Sequence, residues 1–483
     1  MSFNSLEYLI FLPIVFLLYF WLEHKYRWII LLVASCAYYM SWNWHYIGIL
    51  LVSTLTDYFC AIQISKTDSL SVKKAYLSFS LVINLGLLFT FKYFNFFIDN
   101  FEYMFQSFNI PMQIPYLRLI LPVGISFYTF QALSYTIDVY RGVKKVETNL
   151  GIFLVYITFF PQLLAGPIER STHLMQQFYI EQKLRYDNIS SGCRQMLWGF
   201  LKKIIIADHL AIYVNEIYNH PAQYSAGSLL LAAVFFSFQI YCDFSGYSDI
   251  AIGTARLFGI DLMKNFNAPY LARSLREFWK RWHISLSTWF KDYLYVPLGG
   301  NQVSKWLWYR NIMIVFIVSG IWHGANWTFL LWGLTHGLIL VMEAMTVELR
   351  HRFYQITHLN KSGILLKTIK TITCFSFVSF TWVLFRANNM NDLSLILSRI
   401  FYDISKGTKG NFMISRVESF DIGFALVTIG FLFLIELIHR KFNLVLFLNQ
   451  FNAWLRWTVY GLSIILILLC SKTDAQEFIY FRF

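Results

Sequence analysis

The sequence predicts an all-α protein that crosses a membrane about ten to twelve times. Hydrophobic residues make up 57% of the 483 residues, charged residues only 14%, and the mean hydropathy is +0.50. A soluble domain carries about a quarter charged residues. Phe (48 residues) and Trp (16 residues) are abundant, which is typical of a protein with many helix ends at the membrane–water interfaces.

The predicted spans are apolar runs close to 20 residues long, bordered by charged or aromatic residues. In chain order they cover about 6–22, 28–42, 46–64, 77–97, 117–140, 150–167, 196–218, 228–244, the 311–342 region, 369–385, 422–438 and 457–470. No internal repeat, low-complexity tract or Ser/Gly linker separates them. Residues 1–483 are therefore predicted to form a single integral-membrane domain.

Several of these runs are broken by proline or glycine, at Pro122-Val123-Gly124, Pro161 and Gly166-Pro167. Irregular backbone at membrane depth survives only where protein or a water-filled cavity surrounds it. The breaks therefore predict re-entrant segments around a central chamber.

The charge distribution predicts the orientation, since Lys and Arg accumulate in cytoplasmic loops. Basic loops at 25–27, 66–74, 141–145, 273–291, 350–370 and 440–441 are placed in the cytoplasm, whereas 41–45 and 219–227 lack Lys and Arg and are placed outside, with both termini. The net charge of +13 follows from this rule and from contact with membrane lipid, so no nucleic-acid partner is expected.

One run stands out because it carries an ionisable side chain within an apolar stretch. The 32 residues from Asn311 to Met342 contain no Asp, Glu, Lys or Arg, yet His323 lies near their middle. An ionisable residue at membrane depth is by default a functional-site hypothesis. The alternative is a structural histidine that hydrogen-bonds to a neighbouring helix.

The stretch from Arg273 to Asn301 has aromatic residues at helical spacing, with Arg276, Lys280, Arg281 and Lys291 between them. This pattern predicts a cationic amphipathic helix in the cytoplasmic interface. It serves either as a simple anchor or, through charge and stacking, as a surface for the phosphates and adenine of coenzyme A. The helix also contains His283.

Other polar side chains in apolar surroundings are candidates for supporting roles. Asp243 and Ser245 end an apolar run, and such carboxylates either line a cavity or cap the interface. His336 lies thirteen residues after His323, about 220° around a continuous helix, so packing or a hydrogen bond is its expected role. None of the six cysteines forms a CxxC or CxxH pair, so no metal site is expected.

Three motifs resemble the membrane-bound O-acyltransferase family: Glu277-Phe-Trp-Lys-Arg-Trp-His283, Trp289-Phe-Lys-Asp-Tyr-Leu-Tyr-Val-Pro-Leu-Gly-Gly-Asn301 and Trp322-His323-Gly324. Further matching segments are Pro122–Phe127, Phe159–Pro167, Asp243–Asp249, Trp382–Ala387 and Phe478–Phe483. The similarity extends over essentially the whole chain and is to the bacterial branch of the alginate O-acetylase type.

The resemblance implies an enzyme with two catalytic positions. His323 matches the family's nearly invariant histidine and is expected to act as general base, since imidazole suits proton abstraction from a hydroxyl near neutral pH. His283 matches the second position and is expected to orient a substrate or stabilise the oxyanion. Supporting or donor-binding roles are predicted for Trp282, Arg281, Lys280, Trp322, Asn326, Asp243, Ser245 and His336.

The family also implies a function: transfer of an acetyl group from a cytoplasmic thioester, acetyl-CoA, across the bacterial inner membrane to an extracytoplasmic polysaccharide. No bound cofactor is expected, and the expected partner is a periplasmic acetyltransferase of a polysaccharide acetylation complex. The Phe478–Phe483 segment suggests that Tyr480 is a covalent acyl carrier; an aromatic interface anchor is the alternative.

Three other functions remain open on the sequence. The same fold would serve D-alanyl transfer or acyl transfer to peptidoglycan. A proton-coupled transporter would share the many spans, the broken helices and an internal histidine. The amphipathic segment before His323 and the lack of two inverted half-chains favour the transferase.

Overall fold

The computed structural model describes residues 1–110, 112–356, 363–406, 414–417, 420–441, 452–471 and 478–479, and none of these lies in a β-strand. The all-α prediction is therefore confirmed. The helices are α1 (Leu6–Trp21), α2 (His24–Met40), α3 (Ile47–Lys66), α4 (Leu70–Leu88), α5 (Phe94–Ser107), α6 (Ile125–Tyr140), α7 (Leu150–Thr158), α8 (Ser171–Leu174), α9 (Tyr186–Phe200), α10 (Asp208–Asn219), α11 (Ala226–Leu257), α12 (Leu275–Trp279), α13 (Ile284–Phe290), α14 (Lys305–His323), α15 (Trp327–Met345), α16 (Val347–Ile356), α17 (Ile364–Arg386), α18 (Met390–Lys406), α19 (Ile422–Lys441) and α20 (Ala453–Cys470).

Six helical stretches are long and apolar enough to cross a membrane: Trp44–Lys66, Leu70–Ser107, Ala226–Leu257, Trp327–Met345, Ile364–Arg386 and Ala453–Cys470. Leu6–Trp21 and Ile422–Ile438 are apolar but shorter. These helices agree with a membrane protein, while ten to twelve crossings remains a prediction.

The breaks predicted from proline and glycine are present in the backbone. Helix α6 begins only at Ile125, after Gly124 at φ 79°, and α7 ends at Thr158. A Cβ on Gly124 would lie 2.7 Å from the carbonyl oxygen of Leu163. The left-handed turn and the close backbone contact both require glycine here.

The prediction of one amphipathic helix across Arg273–Asn301 is wrong. The structure has α12 and α13 instead, followed by a π-helical turn, Lys291–Tyr295, and His283 at φ 42° separates the two short helices. Phe278, Trp282 and Leu286 are buried. The apolar face therefore packs inside the protein, and the left-handed residue interrupts the helical hydrogen bonds.

The described chain forms two compact units, one of residues 1–196 and 248–264 and the other of residues 197–247 and 265–483. The first unit contains a buried carboxylate, Asp57 on α3. It accepts hydrogen bonds from Asn84 on α4 (2.9 Å) and Thr136 on α6 (3.0 Å), and also from Ser80. This carboxylate therefore links three helices through neutral hydrogen-bond donors.

The second unit contains α14 and α15, which form a tight hairpin. A Cβ on Gly333 would lie 2.3 Å from the carbonyl oxygen of Phe316 and 3.1 Å from the Cα of Gly320. Small residues permit such close approach of helix backbones in membranes. The glycine spacings in the sequence are thereby explained, since the two backbones meet at these residues.

Candidate active site

Both predicted catalytic histidines lie in the second unit, beside one tryptophan. The ring centre of Trp322 is 6.3 Å from that of His283 and 4.9 Å from that of His323. The two imidazoles are therefore no more than about 11 Å apart, the sum of these distances. The structure thus brings together two side chains that are 40 positions apart in the chain.

His323 is the last residue of α14, at the tip of the hairpin, and is 4% exposed. Its ring meets Trp332 of α15 at 5.1 Å and Phe385 of α17 at 5.3 Å, both edge to face. Three helices therefore enclose this imidazole in an aromatic wall. The sequence suggested a position within a continuous helix; the break at Gly324–Asn326 instead places the ring where two helices turn.

His283 is held by a hydrogen-bonded group that sequence reasoning missed. The side-chain oxygen of Asn265 accepts the backbone N–H of Ser285 at 3.3 Å and the hydroxyl of Ser285 at 2.9 Å, and lies 3.1 Å from Nδ1 of His283. A backbone N–H can only donate, so the Asn265 atom is the carbonyl oxygen. Nδ1 of His283 must then carry the proton.

This tautomer determines what His283 can do. Burial lowers the pKa of His283 to about 3, so the imidazole is neutral at pH 7. With the proton on Nδ1, Nε2 carries a lone pair and accepts a hydrogen bond. That arrangement favours the first role predicted for His283, orienting a substrate hydroxyl, over donation to an oxyanion.

The left-handed backbone of His283 (φ 42°) adds a second indication of function. Such a conformation in a residue with a Cβ costs about 1–3 kcal/mol and persists where the surroundings enforce it, often at functional sites. Here Asn265 enforces it through a backbone bond from Ile284 (2.9 Å) as well as its side chain. Asn265 does not belong to any of the motifs recognised in the sequence.

The predicted supporting residues Asp243 and Ser245 are buried on α11 and contact two lysines. Nζ of Lys203 lies 2.7 Å from Asp243 and 2.8 Å from Asp208, and Lys202 donates to the Ser245 hydroxyl at 2.9 Å. Both lysines belong to a π-helical segment, Leu201–Ala207. Two lysines within the predicted span 196–218 are a sequence signal for a functional site, although they were not among the predicted site residues.

The aromatic segment near Tyr480 reaches the same region. Phe478 and Ile479 are buried, and the backbone N–H of Ile479 donates to a carboxylate oxygen of Asp243 at 2.8 Å. Phe478 packs against Tyr247 with ring centres 4.6 Å apart. Tyr480 itself lies outside the described residues.

The other predicted residues have varied surroundings. Trp282 is buried against Trp382 of α17 at 5.0 Å, whereas Lys280 is exposed. Arg281 pairs with Glu277 at 2.8 Å. Asn326 caps α15 by accepting the N–H of Thr328 at 3.1 Å, a structural role.

His336 is fully buried on α15, antiparallel to α14 and not on the same helix as His323. Trp279 (5.1 Å) and Trp332 (4.8 Å) pack against its ring, and no described residue hydrogen-bonds either ring nitrogen. The packing role predicted for it agrees with these contacts. In the part of the chain that is described, no group of three His, Cys, Asp or Glu side chains could hold a metal ion.

The chain is similar in sequence to known proteins. The profile of the membrane-bound O-acyltransferase family matches residues 36–385. A probable alginate O-acetylase from Azotobacter vinelandii is 38% identical over 399 residues, covering 81% of this chain and 76% of that protein. A peptidoglycan O-acetyltransferase from Helicobacter pylori is 36% identical, covering 80% and 77%. A teichoic acid D-alanyltransferase from Bacillus subtilis is 30% identical, covering 55% and 69%.

Proposed function

Because this chain belongs to the membrane-bound O-acyltransferase family and is an O-acyltransferase of the membrane, we propose that it passes an acetyl group from acetyl-CoA across the bacterial inner membrane. The acceptor is an extracytoplasmic polysaccharide, of the alginate type or related. One observation carries the catalytic part of this proposal: His283 and His323 flank the ring of Trp322. Family membership rules out the transporter alternative.

The proposed reaction is a transfer from sulfur to oxygen. His323 takes the proton of an acceptor hydroxyl as that oxygen attacks the thioester carbonyl carbon; the C–S bond breaks and coenzyme A leaves as the thiol after protonation. A positioned general base contributes about 10²–10⁴-fold to such a step. His283, with its lone pair on Nε2, accepts a hydrogen bond from another hydroxyl of a bound substrate and so orients that substrate.

Support for acetyl transfer comes from the relatives. The alginate and peptidoglycan O-acetyltransferases match about four fifths of this chain, whereas the D-alanyltransferase matches 55%. Peptidoglycan is the second candidate acceptor because the Helicobacter pylori protein is almost as similar as the alginate-type proteins. For the donor, the exposed Lys280, three residues before His283, offers a cation to the phosphates of coenzyme A.

A periplasmic acetyltransferase is the proposed partner, and Tyr480 is the proposed carrier between the two enzymes. In this scheme the acceptor hydroxyl is the phenol of Tyr480, and His323 takes its proton as the phenol oxygen attacks the thioester carbonyl carbon. The C–S bond breaks, coenzyme A leaves as the thiol with that proton, and the tyrosyl ester is the donor for the partner. The buried position of the adjacent Ile479 supports this.

The experiment for the proposed function uses the purified full-length chain in detergent with acetyl-CoA labelled on the acetyl group. We expect release of free coenzyme A thiol together with label bound to the protein in a form that hydroxylamine removes. If the label stays on coenzyme A while D-alanine from its carrier protein is transferred, the acetyl proposal is wrong and the D-alanyl alternative is correct.

Replacing Tyr480 with phenylalanine tests the carrier separately. Phenylalanine keeps an aromatic anchor and removes only the nucleophilic oxygen, so we expect polymer acetylation in cells to fall at least ~10²-fold. Acetyl content of the isolated polymer is the measurement, normalised to the amount of protein in the membrane. Polymer that is acetylated normally in this variant would leave the anchor as the role of Tyr480.

A further inference from the structure

The Phe478–Ile479 segment is bound to α11 by a specific polar contact, not only by apolar packing. The backbone N–H of Ile479 donates to one oxygen of Asp243 at 2.8 Å, and that bond is buried. Phe478 is 4% exposed and Ile479 is 5% exposed. A buried carboxylate that accepts a backbone N–H makes a charge-assisted bond, which is stronger than a bond between neutral groups.

Asp243 is itself fixed from the other side. Its second oxygen lies 2.7 Å from Nζ of Lys203, which also pairs with Asp208 at 2.8 Å. The side chains of Asp243 and Lys203 are at most 7% exposed. Each oxygen of Asp243 therefore has its own partner, one within the helices and one on the Phe478–Ile479 segment.

The same contacts connect the segment to the candidate active site. The ring of Phe478 meets that of Phe244 at 5.7 Å, and Phe244 meets the imidazole of His283 edge to face at 4.7 Å. The centres of Phe478 and His283 are thus no more than about 10 Å apart, the sum of these distances. Residue 480 follows directly on this bound pair.

We infer that Asp243, held by Lys203, is a positioning residue that binds the Phe478–Ile479 segment against α11 next to the candidate active site. Acyl loading of Tyr480, the next residue in the sequence, depends on this contact. This inference rests on the proposed carrier role of Tyr480. The bond from the Ile479 N–H to Asp243 and the contact of Phe478 with Tyr247 together fix the register of the segment. Asp243 takes no part in the chemistry.

The sharpest test removes the donor without changing Asp243. Ile479→Pro deletes the N–H, whereas Ile479→Ala keeps it and shortens the side chain. We expect Ile479→Pro to slow formation of the protein-bound acetyl group at least ~10-fold and Ile479→Ala to stay within about threefold of the parent. The KM for acetyl-CoA is expected to stay the same in both, since the contact does not involve the donor. Equal rates in the two variants, or a changed KM with an unchanged kcat, would overturn the inference.

A second measurement reads the position of the segment without using activity. In a chain whose native cysteines are replaced, a thiol introduced as Ile479→Cys is expected to react slowly with a maleimide. Adding Asp243→Ala should speed that labelling at least ~10-fold, and adding Asp243→Asn, which retains an oxygen acceptor, should speed it less. A labelling rate that does not change when Asp243 is replaced would refute the contact. If labelling responds but Tyr480→Phe retains acetylation, the contact is real and the carrier role, together with this inference for catalysis, is wrong.

Discussion

Replacing His323 with alanine is expected to reduce acetyl transfer at least ~10²-fold while the protein remains folded in the membrane. The imidazole is the only side chain in the Trp322-His323-Gly324 motif that can act as a general base. It also lies at the hairpin tip, where its removal leaves the Gly320–Gly333 contact unchanged. The measurement is the rate of coenzyme A release by purified protein, with the size-exclusion profile in detergent as the check on folding.

His336→Leu is the matched control for this prediction. Its ring is as deeply buried and also packs on Trp332, yet no described residue hydrogen-bonds it. An apolar replacement of similar size should cost less than about 1.5 kcal/mol of stability and leave acetyl transfer within about threefold. Should the alanine variant of His323 keep the parental rate, its assignment as general base is wrong.

Replacing His283 with phenylalanine is the second large effect that we expect, a loss of ~10²-fold in acetyl transfer. Phenylalanine keeps a ring against Phe244 and Trp322 but has no lone pair with which to orient a hydroxyl. The left-handed backbone held by Asn265 is left in place. The measurement is the rate of coenzyme A release by purified protein over a range of acetyl-CoA concentrations, and most of the loss should appear in kcat/KM.

Asn265→Ala gives an independent reading of the same group. Without the Asn265 oxygen, Nδ1 of His283 is no longer obliged to carry the proton, so we expect a smaller loss of about tenfold. A phenylalanine variant of His283 with normal kinetics, or an Asn265→Ala variant that is worse than it, would contradict the orienting role.

The apolar runs were sufficient to predict the class of fold and the approximate place of most helices. Runs 6–22, 46–64 and 369–385 correspond to α1, α3 and α17 within a few residues. Such runs are visible because lipid and core both select apolar side chains over a whole helix. Where a helix breaks within an apolar run, as at Gly324–Asn326, hydropathy does not show the break. The local signals are the glycine after α14 and the asparagine that caps α15.

The candidate site was predicted only in part, for a physical reason. His323 and His283 could be selected because each belongs to a recognisable local motif. Asn265 could not, since its importance arises from a contact with a residue 18 positions away in the chain. Lys203 could have been noticed as a charge within an apolar run, but its partner Asp243, 40 positions away, could not be predicted. The Arg273–Asn301 helix failed for a related reason: periodic aromatic residues look the same whether lipid or protein covers them.

The touching glycines of the α14–α15 hairpin have a consequence for how this enzyme tolerates change. His323 lies one helical turn beyond Gly320. Its position is therefore set by the site where the backbones of α14 and α15 are in direct contact. Substitutions at lipid-facing positions of either helix therefore leave the general base in place. Replacing Gly333 with alanine would force α14 and α15 apart and abolish activity, although every catalytic side chain would still be present.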